Sequence, residues 1–342
     1  HQHRPWHHLL QRPDDEPGRQ HHLDARLLQA RLIGVLRQIA ACAAFTCAAA
    51  VTAADNNARF DVEAGVGWED SSSPLLRLSE DGALVQIIGL SRLAGPVSRL
   101  AVDASNDWTL TGPLRLSLTS HAETRWSPSS RSLNFGAALA EAGLRWQTGA
   151  GSIGLSPSLL LLSVANRPFR AADSVRLDWS EVEPGGNLRA LRIETGRYRH
   201  ASNYLDLDAD VQSVSGNRRW KFQGTPVESF ELAAGLRNER NRRGLADLSN
   251  HGGHASAELG WKLAGGDWTA NVLWQVARFR APGPDGLGVR RDRFLSLDVT
   301  AEWPLGERLA LRTSVATSDN HASPAIYNNR RHAVDVALVA RW

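Results

Sequence analysis

The sequence predicts an all-β fold: a transmembrane antiparallel up-and-down β-barrel of outer-membrane type with about 14 strands, 16 being the next even count. Three observations predict it. Past residue 54 apolar and polar residues alternate with period two, many of the alternating runs last 10 to 13 residues, and tryptophans stand beside tight turns.

Composition narrows the alternatives first. The 342 residues include 39 Lys+Arg, 36 Asp+Glu and 42% apolar residues, values of a folded chain rather than a disordered or collagen-like one. No run of about 18 apolar residues occurs outside one N-terminal stretch, which excludes a polytopic helical membrane protein. The net charge of +3 is spread evenly, so no nucleic-acid partner is expected. Only Lys221 and Lys262 are lysines; the Arg, Ala and Gly bias reads as GC-rich coding.

Residues 1–30 hold six His in a polar, Pro-containing segment, and the chain has no Met. They read as a mistranslated upstream or disordered segment, with no zinc-site spacing among the His. Residues 31–54 read as a signal peptide: Arg31 and Arg37, an apolar run from Ile39 to Ala50, then the small-residue site Val51-Thr52-Ala53-Ala54, with Val35 an alternative start. Ile39-Ala40-Ala41-Cys42 resembles a lipoprotein box, but the apolar run continues past Cys42. Cleavage leaves residues 55–342 as the barrel, with 33 basic and 32 acidic residues once the six and four of 1–54 are removed. Cys42 and Cys47 go with the signal, so the exported chain has neither disulfide nor thiolate.

The runs in chain order fall near 59–68, 84–93, 97–106, 112–123, 133–147, 151–163, 173–181, 187–198, 203–214, 227–237, 254–264, 267–279, 293–304, 308–318 and 330–342. In 295–303, Leu295, Leu297, Val299, Ala301 and Trp303 alternate with Ser296, Asp298, Thr300 and Glu302; 254–263 and 332–342 repeat the pattern, as does 205–212, where Leu205, Leu207, Ala209 and Val211 alternate with Asp206, Asp208, Asp210 and Gln212. Soluble strands average about 5–6 residues, whereas a tilted bilayer crossing needs about 9–11. The greasy face then meets lipid and the polar face a wet lumen. On that reading Asp206, Asp208, Asp210, Arg176, Arg192, Glu258, Lys262, Asp298, Arg312 and Arg341 face the lumen. Trp108, Trp146, Trp261, Trp268, Trp303 and Trp342 flank turns and form a girdle at a membrane interface, with outer-membrane lipid as partner.

Short connections at 264–267 and 304–307 alternate with longer polar ones at 238–253, 280–292 and 319–329, as periplasmic turns and outer loops do. Fifteen runs is an odd number, so one is spurious or one is missing. The weak places are 69–96, where Pro74 to Leu78 could add a strand, and 133–147, where the apolar parity slips near Leu139-Ala140 as at a bulge.

The last strands carry a recognisable pattern. Arg290-Arg291-Asp292-Arg293 leads into a strand, then come Pro304-Leu305-Gly306, another strand, Ser318-Asp319-Asn320-His321-Ala322-Ser323-Pro324-Ala325-Ile326-Tyr327, Arg330 and a closing strand with a terminal aromatic. This resembles the C-terminal barrel of the surface lipoprotein assembly modifier (Slam) family, over about 50 residues. The resemblance implies a 14-stranded outer-membrane barrel that assists delivery of client proteins, surface lipoproteins or related ones, with an exported client and the barrel-assembly machinery (through the C-terminal strand) as partners. Members of that family usually carry tetratricopeptide helices before the barrel. No such 34-residue helical repeat occurs here, and Trp342 stands where Phe is commoner.

Other chemistry is thin. His121 beside Ser120, and His321 two before Ser323, are ordinary wet-face neighbours, so no enzyme activity and no cofactor are expected. His251-Gly252-Gly253-His254 reads as a flexible outer loop rather than a metal site, and Gly283 to Gly288 as a turn. The alternatives to client delivery are a passive diffusion pore and a structural or adhesive barrel acting through loops 238–253 and 280–292.

Overall fold

A strand that is apolar on one face must cover that face, and here each strand pairs with its chain neighbour until the last meets the first. The computed structural model describes residues 58–78, 84–130, 133–149, 151–183, 185–283, 286 and 288–342. The segments expected to be upstream sequence and signal peptide lie outside the described residues. The strands are β1 (Arg59–Leu78), β2 (Leu84–Thr109), β3 (Leu114–Trp126), β4 (Phe135–Thr148), β5 (Gly151–Val164), β6 (Arg167–Val182) and β7 (Leu188–His200). The second half holds β8 (Ala209–Lys221), β9 (Val227–Asn241), β10 (Asn250–Leu263), β11 (Gly266–Pro282), β12 (Val289–Pro304), β13 (Leu309–Ser323) and β14 (Asn329–Arg341). All neighbours are antiparallel and the fourteen strands close into one barrel.

Closure is continuous from Asp61 opposite Arg341 to Ser72 opposite Arg330. At its foot Phe60 and Trp342 exchange backbone bonds of 3.0 and 2.9 Å. Pairing satisfies the backbone donors and acceptors of both terminal strands, which is what lets a β-structure stand in hydrocarbon. Among the described residues no helix is long and apolar enough to cross a membrane, so the strands are the spans.

Exposure identifies the two faces. Leu295, Leu297, Val334, Val336 and Leu338 are exposed, as are Ile193, Val214, Leu232 and Leu259, while the buried positions are mostly small, such as Ala101, Ala333 and Ala337. The large apolar side chains are therefore on the outside, the arrangement of a membrane barrel and the inverse of a soluble core.

Five expectations are corrected. The runs 84–93 and 97–106 are one strand, β2, which reduces fifteen to fourteen. Pro96 lies where β2 pairs only with β1, since its pairing with β3 begins at Ser98, and on such an edge a missing N–H is tolerated. Pro74 to Leu78 is the end of β1, not an added strand. The parity slip in β4 is no bulge: pairing with β3 is unbroken, and Leu139 points inward by register with Glu141.

The fourth correction concerns β8. It begins at Ala209, and Ser202–Leu207 is a 3-10 turn, so the run expected at 203–214 starts too early. The fifth concerns the connections at the end opposite the termini. They span only 242–249, 283–288 and 324–328, shorter than the expected loops, because strands continue above the apolar band with both faces polar. Once both faces are polar, alternation no longer reveals a strand. Between β5 and β6 the connection is Ala165-Asn166 alone, with φ of 51° and 63°, the left-handed pair a two-residue hairpin requires.

Candidate functional site

The lumen is built by the inward parity of every strand, and its charges are placed by register. Along β1 the sequence Asp61-Val62-Glu63-Ala64-Gly65-Val66-Gly67-Trp68-Glu69 sends the three acids in and Val66 and Trp68 out. Facing them, β2, β3, β13 and β14 supply arginines, and β12 adds Glu302.

The result is a continuous chain of ion pairs along six strands. Arg341 meets Asp61 at 3.8 Å and Glu302 at 2.6 Å; Arg312 meets Glu302 at 2.9 Å and also bonds Glu63. Arg99 joins Glu63 at 2.6 Å to Glu123 at 3.4 Å, Arg125 joins Glu123 at 2.6 Å to Glu69 at 3.7 Å, and Arg331 closes on Glu69 at 2.7 Å. Two smaller clusters continue around the wall. Arg176 holds Glu141 at 2.6 Å and Asp178 at 2.7 Å, with Arg192 on Asp178 at 2.8 Å. Arg219 holds Glu231 at 2.6 Å and approaches Glu258 at 3.8 Å.

These pairs join adjacent or next-but-one strands, so they follow the wall and do not bridge the lumen. The 3-10 turns of the outer end lean on nearby strands: Ser202–Leu207 on β7, Ala246–Leu248 on β9 and β11, Ala325–Tyr327 on β13 and β1. Between Arg99, Asp298, Glu302, Arg312 and Asp335 lies a polar cavity of about 430 Å³, and a mouth of about 680 Å³ opens beside Arg59, Asp61, Glu307 and Arg341. Charges paired along a wall set a local field while leaving the space beside them to water and solutes.

Of the ten lumen candidates, Arg176, Arg192, Glu258, Asp298, Arg312 and Arg341 take the inward parity of their strands. Lys262 shares that parity at the lower mouth, held by Glu228 at 2.9 Å and Asp267 at 4.0 Å. Asp206, Asp208 and Asp210 form no luminal stripe. The first two are in or beside the 3-10 turn, where Asp206 bonds Arg243 and Asp208 accepts the His200 N–H at 2.6 Å. Asp210 lies on the outer wall opposite Arg197, because β8 must match β7, whose Leu191 and Ile193 face lipid. Sequence reasoning missed Glu63, Glu69, Glu123, Arg99, Arg125 and Arg331, although the alternation Asp61 to Glu69 held the signal.

At the outer mouth the Arg290 motif is drawn together. Arg290 holds Asp292 at 2.6 Å and stands over the rings of Tyr327 and Phe279 at 4.1 and 4.6 Å. At the outer end of β7, Tyr198 lies between Arg170 at 4.3 Å and Arg237 at 5.3 Å, and accepts a 2.8 Å bond from Arg237. Ser120 and His121 are consecutive on a strand and point to opposite faces; His121 is engaged by Asp103 at 2.7 Å.

The outer wall carries the six girdle candidates at the end where the chain terminates. Trp146 and Trp342 are exposed there, and Trp268 stacks on Trp261 at 5.9 Å and meets Trp303 edge-on at 5.6 Å. Trp108 shares that end, before the turn to β3, and Trp179 and Trp220, which sequence reasoning passed over, add to it. A closed barrel with lipid-sized spans, an apolar outer band and a wet charged interior belongs in the outer membrane.

No family model and no curated protein matches the chain. Among solved structures it is similar to Pseudomonas aeruginosa OccK9 (9% identity over 84% of this chain and 99% of that one, TM-score 0.42). It is also similar to P. aeruginosa OccD3 (8%, 85% and 93%, TM-score 0.44) and to an anion-selective porin from Comamonas acidovorans (8%, 84% and 99%, TM-score 0.43). At these values nothing about the lumen transfers, and the chain is described by its own geometry as a fourteen-stranded outer-membrane β-barrel.

Proposed function

We propose that the barrel is a passive diffusion channel for small hydrophilic solutes with weak charge preference. One observation carries the reading: acids and arginines of the lumen are paired along the wall, and the 3-10 turns of the outer end contact chiefly the strands beside them. Fourteen strands tilted at about 40° and spaced about 4.8 Å apart stand roughly 28 Å across between backbones, room for a water path inside the side chains. Paired charges neutralise one another at long range, so ions of both signs pass with similar ease. The test is single-channel recording on the refolded barrel in planar bilayers under a salt gradient. Stable conductance steps with a reversal potential near zero are expected; a barrel that inserts and never conducts would overturn the reading.

A second reading, Slam-like delivery of client proteins, is favoured by the residues of the resemblance, since Arg290, Asp292 and Tyr327 meet at the outer mouth. The continuous pairing of β1 with β14 favours a route through the lumen over one through the seam. Its test is deletion in the native host. A specific surface protein retained in the periplasm, with solute uptake unchanged, would favour delivery over diffusion.

A further inference from the structure

The outer wall carries a second feature that a channel does not need. Across β7 to β12, near the end opposite the termini, lies an open trough of about 920 Å³ with an apolar floor of Ile193, Val214, Leu236 and Val276. It continues down the wall into a further hollow of about 490 Å³ beside Leu191 and Trp274. The hollow exists because small residues replace large ones along the outward parity: Gly216, Ala234 and Gly253 present no bulk where neighbouring strands present Leu or Val. The His251-Gly252-Gly253-His254 run expected as a flexible loop is thus part of β10, and it helps to floor this trough.

Arginines and histidines rim its upper edge. Arg278 is directly opposite Arg291 and on its other side opposite His251; Arg293 is directly opposite His321. Arg278 and Arg291 are like charges set opposite each other on a sheet and repel, so the pair is unfavourable unless something anionic covers it. Among the described residues none of Arg278, Arg291 and Arg293 has an ion pair, and the outward positions of β9 to β12 around them carry no carboxylate; the outward acid beside them on β13, Asp319, diagonal to Arg293, is held by Arg330 at 2.8 Å. Asp292, which also borders the trough, takes the luminal parity and is held by Arg290.

The height of the row identifies its surroundings. Ten residues separate Arg278 from Trp268 on β11, and ten separate Arg293 from Trp303 on β12. At about 3.3 Å per residue and a tilt of about 40°, that is about 25 Å along the membrane normal, the height of the apolar band. The arginines therefore stand where outer-leaflet phosphates lie, with the trough running down from them into the acyl region. The trough spans six strands, about 24 Å at 4.8 Å per strand spacing, too wide for one two-chain lipid and suited to a multi-acyl one.

We propose that this trough is a docking site for a bisphosphorylated, multi-acyl glycolipid of the lipid A class, phosphates on Arg278, Arg291 and Arg293 and acyl chains over Leu236, Val214 and Val276. Charge-assisted bonds from guanidinium to phosphate are shorter and roughly twice as strong as neutral ones, and often bidentate. The site is separate from the lumen, so it stands whether or not the barrel conducts.

The test uses the full barrel purified in mild detergent. Native mass spectrometry would rank retention of bisphosphorylated lipid A, monophosphorylated lipid A and phosphatidylglycerol. Wild-type protein is expected to retain the bisphosphorylated form best, and the triple variant Arg278→Ser, Arg291→Ser, Arg293→Ser to lose roughly tenfold or more of that retention. The variant's heat-dependent gel shift and single-channel records are compared with wild type, because the substituted side chains are outside the lumen. Equal retention of phosphatidylglycerol would overturn the proposal. So would undiminished retention by the variant, or cross-linking that seats a second copy on β9 to β12. The wild-type ranking decides the matter even if the variant folds poorly.

Discussion

Glu69 and Arg331 lie 262 positions apart in the chain and meet across the seam through two bonds, Arg331 Nε to Glu69 Oε1 at 2.7 Å and Nη2 to Oε2 at 2.9 Å. Two planar groups held by parallel bonds fix register as well as distance. The pair belongs to the luminal chain of charges and also closes the barrel.

Substituting Glu69 strands Arg331, whereas Glu69 keeps Arg125 at 3.7 Å when Arg331 is replaced. Glu69→Ala leaves Arg331 without its carboxylate in a half-buried site, at a cost of about 1–3 kcal/mol after allowance for the partial exposure of Arg331. Urea unfolding in lipid vesicles is expected to show that loss, and the double variant Glu69→Ala, Arg331→Ala a smaller loss than the two singles added together.

Luminal charge sets ion preference in a predictable direction. Glu141→Gln with Asp178→Asn leaves Arg176 and Arg192 uncompensated and shifts the reversal potential toward anions, read in a salt gradient. The triple change Asp206→Asn, Asp208→Asn, Asp210→Asn is expected to leave that potential unchanged, because those acids are in or beside the outer turn and on the outer wall. A shift of equal size in both variants would place the acids of 206–210 in the permeation path after all.

Backbone proximity separates two glycines that composition treats alike. A Cβ on Gly252 would stand 1.9 Å from the Val276 carbonyl oxygen, whereas one on Gly154 has nothing nearer than 3.7 Å. Gly252→Ala is therefore expected to reduce the fraction of chain that acquires the heat-dependent gel mobility on refolding, and Gly154→Ala to leave it as in wild type.

Among the tryptophans, Trp268 makes two ring contacts and donates its indole N–H to the Leu263 carbonyl at 3.1 Å. Trp268→Ala should cost about 1–3 kcal/mol from the two aromatic contacts. Trp146, exposed on the same rim, lacks such ring partners among the described residues, and Trp146→Ala should cost less in the same unfolding measurement.

The barrel was legible in the sequence wherever one face met lipid. From Leu295 to Trp303 or Val334 to Leu338, a lipid face must be apolar and a wet face need not be, so the pattern names the orientation of each side chain. It fails above the apolar band. There Asp210 and Arg197 face outward while Ala209 and Val211 are buried inward, and the alternation taken from Leu205 to Val211 reads with the wrong phase. The same loss of contrast concealed the upper ends of β9, β11 and β12 and made them look like loops.

What the sequence by itself determined is local and periodic: the strand class, the tight turns, the tryptophans at strand ends and most of the inward charges. The tertiary structure alone decided which charges meet. Glu63 is bound by Arg99 and Arg312, and Arg278 is set against Arg291, through registers that depend on how far each strand slides past its neighbour before the barrel closes. That slide is summed around the barrel and settled only when β14 reaches β1, so no window of consecutive residues contains it.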